Sequence, residues 1–266
     1  MLKVIGFGQS DKGQKRQNNE DNLFYEQEIG FYMVADGMGG HASGEIASKI
    51  AVDVISQQVK QCLSTGKVAN LGPMNPNWSI RTKYLVQSVY MANQVIFEAA
   101  SKYPQDYGMG TTVVTVLLHE DNKFTVAHVG DSRLYMVRDG KLSQVTTDHS
   151  YVEEQVRRGL LTPEQAKTAE NKNILTRALG TEKTVKVDIQ ELELKENDVY
   201  MLCTDGLDRM VPDEDIEKII LEKKEPPVIA KSLIDKANAN GGVDNVTVVC
   251  MKVEPTKMGW FGKMFR

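Results

Sequence analysis

The chain predicts an α+β fold built on antiparallel sheet, on three observations. First, short apolar runs rich in β-branched and aromatic residues recur along it, such as Phe31 to Ala35, Thr111 to Leu118, Phe124 to Val129 and Val199 to Cys203. Second, several are joined by tight turns, of which Asp139-Gly140 is the strongest hairpin signal. Third, two long helical patterns sit together between an early hairpin and a later series of strands. This is not the regular βαβ alternation of a parallel sheet, so the helices are expected on the outside of antiparallel sheet.

Taken in order, Leu2 to Gln9 reads as a first strand, followed by a polar segment from Ser10 to Asn22. Arg16, Glu20 and Asp21 in that segment are functional candidates, although most such segments are solvated loops. Leu23 to Tyr25 and Phe31 to Ala35 form a hairpin around Glu28-Ile29-Gly30. Ser43 is a suitable N-cap, and Ile46, Ile50 and Val54 give the following helix an apolar face as far as about Leu63. Thr65 to Asn77 is a Gly/Pro/Asn-rich loop. Leu85, Val89, Ala92, Ile96 and Ala99 form the stripe of a second helix ending near Tyr103-Pro104. Strands follow at Thr111 to Leu118, Phe124 to Val129 and Leu134 to Val137, the first two joined by Asp121-Asn122. Ser150 to Ala169 is charged and poor in large apolar residues; with Thr162 as cap and Pro163 in the first turn, it reads as small surface helices, a lid or a solvated excursion. Strands return at Val185 to Leu194 and Val199 to Cys203. Pro212-Asp213-Glu214 opens a helix, Pro226-Pro227 breaks it, another covers about Val228 to Ala239, and Asp244-Asn245 leads into a last strand.

With 266 residues, 41% hydrophobic and 26% charged, the composition is that of a globular protein with enough chain for one large core. A net charge of −4 does not suggest nucleic-acid binding. Cys62, Cys203 and Cys250 have no CxxC spacing, and two of them sit inside apolar runs as core fillers. No run approaches the roughly 18 apolar residues of a membrane span, and the start lacks a secretory pattern, so a reducing cytoplasm is expected. The tail, Lys257 to Arg266, mixes aromatic and basic residues, as a frayed terminus or a short membrane or partner contact would.

The chemistry concentrates where apolar strands end in an acid. Phe31 to Ala35 runs into Asp36-Gly37-Met38-Gly39-Gly40-His41, Val199 to Cys203 into Thr204-Asp205-Gly206, and Phe124 to Val129 into Gly130-Asp131, while Asp244 precedes Val246 to Met251. An Asp-Gly pair alone reads equally well as an ordinary turn. Repeated on one rim, such carboxylates repel each other unless cations lie between them. A carboxylate beside a glycine-freed carbonyl suits a hard cation such as Mg2+ or Mn2+.

Together these residues resemble the protein phosphatase 2C family of metal-dependent Ser/Thr phosphatases in its bacterial form. The resemblance is carried by Ser10-Asp11-x-Gly13-x-x-Arg16-x-x-Asn19-Glu20-Asp21, Val34 to His41, Gly110-Thr111-Thr112, Gly130-Asp131-Ser132-Arg133, Leu175 to Gly180, Cys203 to Leu207 and Asp244 to Thr247, in the family's order. It implies a four-layer αββα sandwich over residues 1–254, with a flap at about 150–172 and a short tail at 255–266. It implies two Mn2+ or Mg2+ ions, bridged by Asp36, with the Gly37 carbonyl on the first and Asp205 and Asp244 on the second. Glu20 and Asp21 would hold metal-bound waters, Asp131 would help bind a third, weaker ion, and Arg16 would grip the substrate phosphate with its planar fork. The implied activity is hydrolysis of phosphoserine and phosphothreonine in proteins by a metal-activated bridging water, without a phosphoenzyme, opposing a bacterial-type Ser/Thr kinase; a monomer is expected. A domain that kept the fold and lost turnover, and a hydrolase of small phosphoesters, are the competing readings. Three features depart from the family. Met38 stands where many members have His, which leaves the general acid unassigned and His41 nearby; Ala169 to Asn173 replaces a common His-Pro-x-Arg-Asn; and Gly66 to Arg81 is long.

Overall fold

The computed structural model describes residues 2–39, 43–102 and 104–256. The Gly40-His41 end of the glycine run, Tyr103 and the tail from 257 onward lie outside the described residues. Among the described residues eleven strands form two antiparallel sheets. In one, the order is β1 (Leu2–Asp11), β11 (Val246–Pro255), β10 (Val199–Cys203), β7 (Arg133–Arg138) and β8 (Lys141–Gln144). In the other it is β2 (Asp21–Glu26), β3 (Phe31–Met38), β5 (Val113–Leu118), β6 (Lys123–Val129) and β9 (Asp188–Glu193), with β4 (Gly110–Thr111) also pairing with β3.

The layers follow from strand alternation. Tyr32 and Val34 of β3 and Tyr200 and Leu202 of β10 meet in a core between the sheets, with Phe124, Val249 and Met251. Their neighbours Phe31, Met33 and Ala35 face outward onto α1 (Ser43–Thr65) and α2 (Ile80–Lys102). On the opposite side, Val199, Met201 and Cys203 face α6 (Asp213–Lys223) and α7 (Pro226–Ala239). The expected four-layer sandwich is therefore present. Strands buried on both faces explain why these runs are continuously apolar. Cys62, Cys203 and Cys250 are buried, and burial raises the pKa of each thiol, as suits core fillers.

Four local expectations change. The buried face of α1 is Ala47, Ala51, Val52, Ile55, Val59 and Cys62, whereas Ile46 is exposed and Ile50 and Val54 are only partly buried. The stripe keeps its period but is phased one residue later, on Ala47, Ala51, Ile55 and Val59, which leaves Ile46, Ile50 and Val54 at its rim. Ser43 belongs to the helix, and its hydroxyl donates to the Gln105 carbonyl and Asp106. The run from Thr111 is interrupted at Thr112, whose N–H leaves the ladder for the Asp36 carbonyl (2.8 Å). Pro226-Pro227 opens α7 from its first turn, and α6 ends at Lys224 in the left-handed conformation. The Ser150 to Ala169 segment forms α3 (Tyr151–Arg157) and α4 (Pro163–Thr168), the latter with the expected Thr162 cap completed as a capping box by Gln165. Among the described residues no helix is long and apolar enough to cross a membrane.

Candidate active site

The acid-bearing strand ends meet on one rim. Asp21 and Asp36 are direct partners across the β2–β3 ladder. Asp205 follows the end of β10 in a one-turn helix, α5 (Asp205–Asp208), that the sequence reading did not anticipate. Cys203 pairs with Val248, which sets the end of β10 beside Asp244 and the start of β11. Asp131 leaves the end of β6, where Val129 pairs with Val113.

Glycines make this convergence sterically possible. A Cβ on Gly37 would overlap the Gly44 carbonyl at the start of α1, and one on Gly206 would overlap the Asn245 carbonyl. Gly37 is therefore a close-approach glycine, not a turn glycine, and its N–H donates to the Glu20 carbonyl (3.1 Å). Asn245 fastens the same region: its Oδ1 accepts from the Glu20 N–H, and its Nδ2 donates to the Lys12 and Asn18 carbonyls. The carboxylate of Glu20 lies against Gly44.

The electrostatics are those of crowded acids. Burial, then Asp21, Asp205, Asp131 and Asp244, raise the Asp36 pKa well above the usual carboxylate range. Burial pushes Asp21 and Asp131 up to about 7, with Asp205 adding to both. Asp205 is raised too, by burial first and against the pull of Arg209. Asp21 Oδ2 accepts from the Thr204 and Thr247 hydroxyls (2.8 and 2.7 Å), yet among the described residues its Oδ1 is buried with no partner, as is Asp205 Oδ1. Unsatisfied buried carboxylate oxygens among mutually repelling acids are costly. Hard, oxygen-seeking divalent cations would satisfy them, and the donor set of carboxylates with an adjacent carbonyl fits Mn2+ or Mg2+.

Two cations border the cluster. Arg16 Nη2 donates to Asp244 Oδ2 at 2.8 Å, with its side chain 49% exposed. Arg209, which the sequence reading missed, is ion-paired with Asp205 one helical turn earlier and lies 3.8 Å from Asp131 and 3.9 Å from Asp244. The i,i+4 spacing of Asp205 and Arg209 was the only signal for it. Arg133 of the Gly130-Asp131-Ser132-Arg133 motif is held by Asp148 (2.7 Å) and Asp208 (2.9 Å). A cleft of about 620 Å³ runs from Asp131, Asp205 and Arg209 toward Glu153, Val156 and Lys172 of the α3–α4 excursion. The excursion thus lines this cleft on the side of Asp131 and Asp205.

The described geometry can be set beside known proteins. The family model for protein phosphatase 2C matches residues 9–228. The chain belongs to the protein phosphatase 2C family. It is 36% identical over 253 residues to the serine/threonine phosphatase stp of Listeria monocytogenes, covering 94% of this chain and 96% of that protein. It is 37% identical over 247 residues to the serine/threonine protein phosphatase PstP of Mycobacterium tuberculosis, covering 92% of this chain and 44% of that longer protein. The crystal structure of the M. tuberculosis phosphatase PstP/Ppp superposes with a TM-score of 0.82 at 33% identity, over 96% of this chain and all of that one. A structure of the PstP catalytic domain in complex with two manganese ions gives 0.81 at 33% identity, over 96% of this chain and 100% of that one. The two-sheet sandwich expected of a protein phosphatase 2C is the fold found.

Proposed function

We propose that this protein phosphatase 2C hydrolyses phosphoserine and phosphothreonine in proteins, using Mn2+ or Mg2+, and opposes a Ser/Thr kinase. The observation that carries the reading is the convergence of Asp21, Asp36, Asp131, Asp205 and Asp244, with Asp21 Oδ1 and Asp205 Oδ1 buried and unpartnered among the described residues. Asp36, the Gly37 carbonyl, Asp205 and Asp244 would hold two divalent ions, Glu20 and Asp21 their waters, and Asp131 a third, weaker one. When bound, such a pair of ions supplies an activated water and charge neutralisation at the phosphoryl group.

The remaining work falls to the chain. Arg16, half exposed beside Asp244, would exchange that carboxylate for the two phosphate oxygens its fork can span. The Thr204 and Thr247 hydroxyls hold one Asp21 oxygen and leave the other buried and free of them. Buried, thiol-form cysteines supply no nucleophile, which fits direct attack by water. The catalytic unit spans residues 1–254 with the flap at about 150–172, and works as a monomer in the cytoplasm.

Kinetics with a phosphothreonine peptide and a small aryl phosphate, for wild type and Arg16→Ala, test the substrate class. The peptide is expected to give the higher kcat/KM. Arg16→Ala should raise KM for the peptide about tenfold, with the Mn2+ requirement nearly unchanged. A preference for the aryl phosphate would favour a small-phosphoester hydrolase. Collapse of metal binding in Arg16→Ala would make Arg16 structural.

A further inference from the structure

His149 lies outside the carboxylate cluster, and the chemistry above does not use it. It is buried at the point where the flap leaves the sheet. Its backbone N–H donates to the Gly130 carbonyl (2.9 Å), and its Nδ1 accepts the Gly130 N–H (3.1 Å). One residue thus closes both backbone groups of the glycine immediately before Asp131. Gly130 has φ +107°, a conformation that L side chains rarely adopt, so the turn needs holding.

The hydrogen bonds assign the ring's proton. Nδ1 accepts, so the neutral imidazole carries its proton on Nε2, which faces Asp188 Oδ2 at 3.2 Å. Asp188 Oδ1 accepts in turn from Arg177 Nη1 (2.8 Å) of the Leu175 to Gly180 motif. His128 stacks on the ring, with centroids 4.6 Å apart, and donates from Nε2 to the Thr147 carbonyl (2.9 Å). On the far side of Asp131, the Ser132 and Thr112 hydroxyls are hydrogen-bonded at 2.6 Å, and Thr112 Oγ1 accepts the Asp36 N–H (3.0 Å). Asp131 is therefore anchored through both neighbours, to the Asp36 strand on one side and to His149 on the other.

We infer that His149 is a positioning residue for Asp131, holding the Gly130 turn so that the Asp131 carboxylate stays in the cluster, and tying that turn to the root of the flap. The tie is direct: the His149 carbonyl accepts the Thr176 N–H (2.8 Å), and Ser150 bridges Leu175 where the flap returns. The inference rests on the reading of Asp131 as a ligand of the weaker ion. His128, His149 and Asp188 also bring possible ligand atoms within 4.8 Å of one another. A metal there is disfavoured, because both His149 nitrogens are engaged, the imidazoles stack instead of converging, and Arg177 Nη1 is 3.0 Å from His149 Nε2.

Calorimetric titration with Mn2+, alongside thermal melting, tests this on wild type, Asp131→Ala, His149→Asn and His149→Gln. Asn places a carbonyl oxygen where Nδ1 lies, whereas Gln, closer in size to His, places its amide near Nε2. Asp131→Ala is expected to remove the weakest binding event and keep the tighter ones. His149→Gln should weaken that same event about 10–100-fold, as loss of a supporting hydrogen bond around a ligand does, and His149→Asn should stay within about threefold of wild type. A His149→Gln isotherm equal to wild type, or equal losses in Asn and Gln at every event, would overturn the role of His149. An unchanged isotherm in Asp131→Ala would instead overturn the Asp131 reading, and the inference with it.

Discussion

Asp36→Asn is expected to lower kcat on a phosphothreonine peptide by at least about 1000-fold, since a metal centre that stabilises transition-state charge contributes several kcal/mol. The substitution keeps the shape of the side chain and leaves its backbone contacts to Thr111 and Thr112 intact. What it removes is the ionisable carboxyl at the centre of the acid cluster, whose pKa is raised by burial and then by Asp21, Asp205, Asp131 and Asp244. The same change should stabilise the metal-free fold near neutral pH, because the folded chain no longer has to bury an acid that the unfolded chain would ionise freely. Steady-state kinetics with denaturant unfolding in EDTA reads both effects. Near-normal turnover, or a less stable metal-free fold, would contradict the placement of Asp36.

Metal-free protein should lose stability as the pH rises from about 4 to about 7, by an amount on the order of a few kcal/mol. Asp21 and Asp131 keep their protons up to about pH 7 in the folded chain, whereas an unfolded aspartate releases its proton near pH 4. Between those limits the folded state binds more protons, so each upward step in pH favours unfolding. The contribution is complete below about pH 4 and gone above about pH 7. Cations compete with protons for the same oxygens, so Mn2+ should raise the melting temperature more at pH 8 than at pH 5.5. Melting curves in EDTA and in Mn2+ at those two pH values check this, and the slope in EDTA should be shallower in Asp36→Asn. Equal stability of the EDTA form at both pH values would show that the acids are not in conflict.

The ligand-bearing half of the site was legible because each acid ends an apolar strand. A buried strand must release its chain at the rim, and the residue there is set by chemistry instead of packing. Asp131, Asp205 and Asp244 follow that rule just beyond their strands, whereas Asp36 ends the apolar run but still pairs with Asp21 inside β3, and the ladders bring these positions together. The groups that tune those acids were not legible. Thr204 and Thr247 look like ordinary strand residues, and their hydroxyls become meaningful only when β10 and β11 present both to Asp21. Arg209 depends on α5, a single turn too short to leave a periodic pattern. His149 depends on contacts with Gly130 and Asp188, which are distant in sequence. In the fold, the error at α1 has one cause. Period and hydrophobicity favoured Ile46, Ile50 and Val54, but the buried stripe runs one residue later through Ala47 and Ala51 to Ile55, and small side chains carry little signal.

The most direct test of the central claim is phosphate release from a phosphothreonine peptide by the wild-type protein, first with Mn2+ and then after addition of EDTA. The account predicts release that requires Mn2+ or Mg2+, stops with EDTA and returns when excess metal is restored. A folded protein that releases no phosphate with either metal, or that continues unchanged in EDTA, would contradict it.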